Sequence, residues 1–323
     1  MTKVKAWISA ARLRTLPLSV SGIIIGASAG NELRIVNFAA ELDEKYGRLV
    51  CLGYPSILET PLFWLAIFTT VGFQVLSNFA NDYGDGVKGT DNKDRVGPAR
   101  ALQSGWLTAK ELKRGMIVTA VITLLLASML IFTAFGNDNF ILSFIFFNLG
   151  IAAVIAAVKY TVGKSAYGYR AMGDVFVFVF FGLVGVMGCY FLFTQNLGGY
   201  IVFPAITIGL MSTAVLNLNN MRDRIEDAKV NKNTLAVVLG KTKVKHYHAS
   251  LIFGAFISAL IYFLLQEGHW SGFIPLVAFI LLFLNVLKVY KNEEPKNLDP
   301  ELKKVALSTF LFALLFLAAP FFI

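Results

Sequence analysis

Apolar residues run along this chain in long blocks separated by short polar connections. Blocks near 7–29, 61–80, 115–135, 140–158, 174–195, 200–219, 247–266, 272–290 and 304–323 approach the ~17–25 residues that cross a bilayer as a helix. None alternates as a barrel strand does. A helix satisfies its own backbone groups in hydrocarbon, so the pattern predicts an all-α, polytopic membrane protein with nine transmembrane helices. The connections "GNDN" (136–139) and "NLGG" (196–199) predict antiparallel hairpins. The first block has Lys3 and Lys5 before it and ends in "GASAG", as a cleaved signal segment does. Arg12, Arg14 and Pro17 interrupt it, and "ARLRTLP" reads better as the interfacial start of a first span.

Composition agrees: 56 % of residues are hydrophobic and 15 % charged, against roughly a quarter charged in soluble domains. The net charge of +9 is a matter of topology rather than of nucleic acid. Lys and Arg number four at residues 3–14, seven in 81–114, three in 159–173, seven in 220–246 and five in 288–304. With the N-terminus in the cytoplasm these all fall on one side, leaving Arg34, Lys45 and Arg48 outside. That is the positive-inside distribution, in the cell inner membrane, and it puts the C-terminus outside. The acidic segment 30–60 then suits an external loop or short helix. Cys51 and Cys189 lie in different surroundings and predict neither a disulfide nor a metal site. His246 and His248 have no accompanying ligands and read as an interfacial helix start.

Two polar stretches stand out. "NFANDYGDGVKGTDNKDRVGPAR" (78–100) follows the second block, and "NLNNMRDRIEDAKVNKNTLAVVLG" (217–240) follows the sixth. A shift of 138 positions sets Asn81 on Asn219 and Asp85 on Asp223. The two blocks are four apart, so both stretches face the same side. This predicts a single domain over 1–323 built as two four-helix pseudo-repeats, roughly 7–158 and 174–290. One extra helix, 304–323, completes it, with a central cavity between the halves.

If each stretch prolongs the helix before it, Asn81 and Asp85 share a face, as do Asn219, Asp223 and Asp227, while Asp82 and Asp85 are i,i+3. Carboxylates clustered at a membrane interface need a cation to offset their repulsion. An oxygen-only set suits Mg²⁺, which substrate phosphates commonly complete. Lys88, Arg95, Arg100, Lys164, Arg222 and Lys232 lie nearby and suit a diphosphate. Gly84, Gly86 and Gly89 would let a loop turn closely around a phosphate. A diphosphate with an apolar tail in the bilayer has the character of an isoprenyl diphosphate. Its allylic C–O bond breaks once the departing pyrophosphate is stabilised.

Four stretches, "AARLRTLPLSV" (10–20), "NDYGDGVKGTDNKDRVGPARALQSGWLT" (81–108), "KYTVGKSAYGYRAMGDVFVFVFFG" (159–182) and "NNMRDRIEDAKVNKNTLAVVLG" (219–240), resemble those of the UbiA-type intramembrane prenyltransferases. Within that family, "YTVGKSAYGYRAMGD" and "KGTDNKDRVGPAR" are similar to the branch that prenylates 1,4-dihydroxy-2-naphthoate in menaquinone biosynthesis. The resemblance implies nine helices around a cavity with a cytoplasmic cap and a lipid-facing prenyl tunnel. It implies that Asn81, Asp85 and Asp91 serve one Mg²⁺ and that Asp223 and Asp227 serve another, with Asn219 or Asn220 assisting. Where the family pattern has a third acidic residue four positions after Asp85, this chain has Gly89, and Asp91 is the nearest carboxylate. Asp82 is open between a ligand and a supporting residue. The implied partners are a polyprenyl diphosphate and 1,4-dihydroxy-2-naphthoate. Tyr160, Tyr167 and Tyr169 would face an allylic cation or sit as interfacial belt residues. Lys164 and Arg170 would bind pyrophosphate or the naphthoate carboxylate. Other readings are a different aromatic acceptor, such as 4-hydroxybenzoate, homogentisate or a haem or chlorin precursor, and a transporter with a cation site between repeats.

Overall fold

The computed structural model describes residues 1–46, 56–90, 96–266 and 270–319. Among these every long element is helical, and the one extended pairing is an isolated bridge between Arg170 and Asn233. The first apolar block is not one helix. Helix α1 (Lys3–Ala11) stops where Arg12 takes a left-handed φ of 50°, and α2 (Leu16–Tyr46) begins after a single 3-10 turn. Pro17 falls in the first turn of α2, where its missing N–H leaves no bond unmade. Beyond the expected end at residue 29, α2 carries on to Tyr46, so much of the segment expected as an external loop continues the helix of the first span. Cys51 lies outside the described residues.

The remaining helices are α3 (Pro61–Val87), α4 (Ala109–Phe135), α5 (Phe140–Lys159), α6 (Gly173–Thr194), α7 (Val202–Lys229), α8 (Leu235–Leu265), α9 (Ala278–Lys291) and α10 (Leu298–Ala318). A capping box starts α4: the Thr108 hydroxyl accepts the Glu111 N–H at 3.2 Å and the Glu111 carboxylate accepts the Thr108 N–H at 2.7 Å. At the start of α8 the Thr234 hydroxyl accepts the Val237 N–H at 3.4 Å, and α8 kinks at Gly240, where φ is 73°. Within α6, residues Phe178–Gly188 wind as a π-helix, a rare geometry that concentrates at functional sites.

Eight helices among the described residues are long and apolar enough to cross a membrane, which makes this a multi-pass membrane protein. The ninth expected span, 304–323, overlaps α10, which is not one of the eight. Its first turns carry Asp299, Glu301, Lys303 and Lys304, and residues past 319 lie outside the described ones. Helix α7 is the most enclosed, with α2, α6, α8 and α10 around it. A second, smaller apolar cluster caps the motif end of the bundle. There Ala6 and Ala10 of α1 meet Leu76 and Phe79 of α3 and Leu107 of the following loop. The two histidines serve packing: His246 Nδ1 pairs with the Tyr290 hydroxyl, and buried His248 Nε2 with Asn285 Oδ1, each at 2.8 Å.

Candidate active site

Both acidic motifs are helical, as the spacing argument requires: α3 continues through Asn81, Asp82 and Asp85, and α7 through Asn219, Asp223 and Asp227. Gly84 and Gly86 are therefore turns of α3 rather than a phosphate loop. Gly84 is needed for close approach, because a Cβ there would stand 2.5 Å from the Thr161 hydroxyl. That hydroxyl donates to the Ala80 backbone carbonyl at 2.9 Å and lies 3.3 Å from the side-chain Oδ1 of Asn81, fixing the end of α5 against the first motif.

The motif ends meet around a cavity of about 390 Å³. Asn81 and Asp85 line it from α3, Asn219 and Asn220 from α7, and Lys232 from the loop after α7. Arg12, Arg14 and Arg100 also line this polar end. Away from it the wall is apolar, with Phe73, Leu130, Phe146, Phe180, Phe181 and Val184, and the π-helical stretch of α6 supplies one side. Between the two zones stand Tyr160, Tyr167 and Phe176; the Tyr167 and Phe176 rings stack 3.8 Å apart.

Lys232 joins the two motifs. Its ammonium lies 3.7 Å from Asp85 Oδ2 and 3.6 Å from Asp227 Oδ1. The loop backbone holds it there. Asn231 is left-handed at φ 56°, the Lys232 N–H donates to the Asp227 carbonyl at 2.9 Å, and the Ala171 N–H donates to the Asn233 carbonyl at 2.7 Å. Burial pushes the Lys232 pKa down, but Asp85 and Asp227 outweigh it and hold the ammonium above the ordinary lysine range. Asp85 Oδ1 accepts the Tyr169 hydroxyl at 2.7 Å, and the Lys88 ammonium stands 3.9 Å over the Tyr169 ring. For Lys88 the balance is reversed. Burial and the nearby Lys232 charge outweigh Asp85 and lower its pKa. Burial first, and behind it Asp174 and Asp85, raises the Tyr160 pKa; burial and then Asp85 raise that of Tyr169. Both phenols stay neutral at physiological pH.

The second motif is held from behind. Arg222 is 1 % exposed. Its Nε and Nη2 donate to the two Asp223 carboxylate oxygens at 2.8 Å, Nη2 also to Asn219 Oδ1 at 2.9 Å, and Nη1 to Asp299 Oδ1 of α10 at 2.5 Å. Asp223 thus acts on the cavity wall through Arg222 and Asn219, and Asp227 through Lys232. Among the described residues no three His, Cys, Asp or Glu side chains converge as they stand on a point where an ion would sit. The donor chemistry nevertheless fits a hard divalent ion. Asn81, Asp85, Asn219 and Asn220 offer only oxygens and amides at one end of one cavity, and a phosphate ligand would supply the rest.

Not every expected residue gathers here. Asp82 is buried and turned to the loop before α4, its two oxygens accepting the Ala101 and Leu102 N–H groups at 3.0 and 3.2 Å. Truncating it to Ala leaves two amides without their acceptor. A loss of about 1–3 kcal/mol in folding stability is expected, with earlier proteolysis near 96–107, measured by thermal melting and limited digestion. Lys164 and Arg170 are exposed and off the cavity wall. Asp91 and Arg95 lie outside the described residues. Conversely, Arg12 and Arg14 line the cavity although their positions in the sequence read as topological charge. The left-handed break at Arg12 folds α1 back and brings them there, and the paired arginines interrupting an apolar block were the available signal.

Comparison with known proteins agrees with this geometry. The UbiA prenyltransferase family signature matches residues 47–310. The chain is 40 % identical to the 1,4-dihydroxy-2-naphthoate octaprenyltransferase of Haemophilus influenzae, over 97 % of this chain and 95 % of that one. It is 36 % identical to the enzyme of the same name from Escherichia coli, over 99 % and 96 %. Among solved structures, a digeranylgeranylglyceryl phosphate synthase superposes with a TM-score of 0.60 at 19 % identity, covering 100 % of both chains. A UbiA homolog from Archaeoglobus fulgidus bound to DMAPP and Mg²⁺ superposes with a TM-score of 0.58 at 14 % identity, covering 96 % and 99 %. With paired helix-end motifs, a cavity polar at one end and apolar at the other, and a matching signature over most of its length, the chain belongs to the UbiA prenyltransferase family.

Proposed function

We propose that this protein transfers a polyprenyl group from an all-trans polyprenyl diphosphate to 1,4-dihydroxy-2-naphthoate, releasing pyrophosphate and carbon dioxide and giving demethylmenaquinol. The observation that carries the reading is the split cavity. Four cations and the Asp85 carboxylate stand at one end and aromatic and aliphatic side chains fill the other, which is the division between a diphosphate and its prenyl tail. The near-full-length similarity to two 1,4-dihydroxy-2-naphthoate octaprenyltransferases supports the acceptor. We read the Lys- and Arg-rich end, with the site and the N-terminus, as cytoplasmic in the inner membrane, and the C-terminus as outside. The two halves read as pseudo-repeats carrying one motif each.

In this reading Asn81, Asp85, Asn219 and Asn220 hold Mg²⁺ together with the diphosphate, while Asp223 and Asp227 support the second half of the set through Arg222 and Lys232. When bound, Mg²⁺ supplies positive charge that stabilises the departing pyrophosphate. Lys232, Arg12, Arg14 and Arg100 bind the phosphate oxygens and take up the charge that develops as the allylic C–O bond breaks. The electron pair of that bond leaves on the pyrophosphate oxygen. Tyr160 and Tyr167 present neutral aromatic rings where the allylic carbon becomes positive. The electron-rich naphthoate ring then forms the new C–C bond, and the carboxylate leaves as carbon dioxide with no net loss of a ring proton. Apolar walls exclude water, which would otherwise capture the cation.

A panel of acceptors tests the assignment. Purified protein, a polyprenyl diphosphate and Mg²⁺ are incubated with 1,4-dihydroxy-2-naphthoate, 4-hydroxybenzoate or homogentisate, and the products are weighed by mass spectrometry. The account expects a decarboxylated product from the naphthoate alone; preference for another acceptor overturns it while leaving the diphosphate site intact. The tunnel makes a separate expectation. Gly188 lines the cavity, and a Cβ built there meets nothing within 4 Å. Gly188→Leu therefore projects into the tail's space, and the variant should favour shorter prenyl diphosphates, read as the distribution of product masses in a mixed-length competition.

A further inference from the structure

We propose that the end of the bundle opposite the acidic motifs carries a second binding site, which takes the ammonium of an amine-bearing lipid headgroup. The site is a cavity of about 420 Å³ between the ends of α2 and α8 and the turn that enters α7. Glu32 lies sixteen residues beyond Leu16 on α2, about 24 Å along a helix rising 1.5 Å per residue, which sets it far from the acidic motifs, while the apolar wall of the first cavity extends along α2 to Ile23.

The lining selects the ligand. Among the described residues Glu32 is the one charged side chain on the wall; Tyr190, Tyr200 and Tyr262 bring three phenol rings, and Gln266 an amide. Tyr190 and Tyr262 are buried at 6 % exposure and form the floor, whereas Tyr200 is 53 % exposed and stands at the rim. A Cβ at Gly198 would stand 2.8 Å from the Tyr190 hydroxyl, so the turn closes against the floor only because residue 198 is glycine. Among the described residues no Lys or Arg forms an ion pair with Glu32. A carboxylate without a cation, set beside tyrosine rings, is the combination that holds an ammonium by charge and by the ring quadrupole. The position favours a lipid as its source. Glu32 is near the end of the membrane-crossing part of α2, and tyrosines collect at the depth of the headgroups.

Native mass spectrometry of the full chain tests this. Wild type, Glu32→Gln and Tyr200→Leu are each equilibrated with phosphatidylethanolamine or phosphatidylglycerol, then activated stepwise to strip bound lipid. Neither residue belongs to the proposed active site, so unchanged turnover reports that each variant is folded. Wild type should keep phosphatidylethanolamine under conditions that remove phosphatidylglycerol. Glu32→Gln should lower that retention about tenfold, the cost of one partly desolvated charge contact, and Tyr200→Leu should lower it less. Equal retention of the two lipids by wild type, or unchanged retention by Glu32→Gln, would overturn the proposal. Displacement of the lipid by soluble ethanolamine at millimolar concentration would assign the site to a free amine and overturn the lipid part.

Discussion

Replacing Asp85 by Asn is expected to lower turnover about 10²–10³-fold, the usual cost of removing one group that stabilises developing charge. Asp85 touches the site from three sides. It lines the cavity, accepts the Tyr169 hydroxyl at 2.7 Å and faces the Lys232 ammonium at 3.7 Å. Asn keeps the shape and one acceptor oxygen but removes the charge. The fold should survive, because α3 is held by Thr161 at Gly84 and by the loop that Asp82 anchors, neither of which uses Asp85. The deficit should appear in kcat as well as in the Mg²⁺ concentration for half-maximal rate. Steady-state kinetics over a Mg²⁺ series, beside a melting curve, separates that result from simple unfolding.

The second large effect is expected at Lys232. Its side chain is 13 % exposed and lies between carboxylates of the two motifs, so Lys232→Met removes a cation that faces both. Breaking a buried ionic arrangement on one side costs about 3–5 kcal/mol, and turnover should fall with it because a phosphate-binding charge is lost. The distinguishing readout is stability against Mg²⁺ without substrate. With Lys232 gone, Asp85 and Asp227 lose the charge that stands between them, and a divalent ion should raise the melting temperature of the variant more than that of wild type. The pH dependence follows from the direction of the shift. A lysine pKa raised on folding contributes stability that is fully present below its unfolded value of about 10.4. That contribution is lost only as pH rises through the higher folded value. Alkaline loss of activity below about pH 10 should therefore not trace to Lys232. A titration of kcat/KM that instead broke near pH 8–9 and moved with Lys232→Met would contradict the placement.

Most of the architecture was legible because lipid imposes one rule, internal satisfaction of the backbone, on every long apolar block. The motifs were legible for a related reason: carboxylates at the ends of such blocks are costly, and their spacing put Asn81 with Asp85 and Asn219 with Asp223 on shared faces. The rest depended on how the chain turns between helices. Nothing local marks Arg12 as left-handed, yet that one dihedral brings Arg12 and Arg14 from the topology column into the cavity wall. Asp82 and Asp85 look equivalent in sequence. A difference of three positions on α3 turns one to loop amides and the other to the cavity. Lys164 and Lys232 likewise look similar, but the Lys232 N–H donates to the Asp227 carbonyl, which holds Lys232 over the site, whereas Lys164 stays exposed. The role of Arg222 needed Asp299, which is 77 residues away in sequence. The expected ninth span, 304–323, overlaps α10, whose first turns carry Asp299, Glu301, Lys303 and Lys304, and its last residues lie outside the described ones.

The most direct test follows the reaction itself. Purified protein is given an all-trans polyprenyl diphosphate, 1,4-dihydroxy-2-naphthoate and Mg²⁺, and both pyrophosphate release and the prenylated product are measured, with EDTA, Asp85→Asn and Asp223→Asn as controls. The account predicts pyrophosphate and a decarboxylated prenyl product in equal amounts, both lost in all three controls while the variants melt as folded proteins. Full turnover in EDTA, or in either folded variant, would contradict the claim that the two motifs form one metal-assisted diphosphate site.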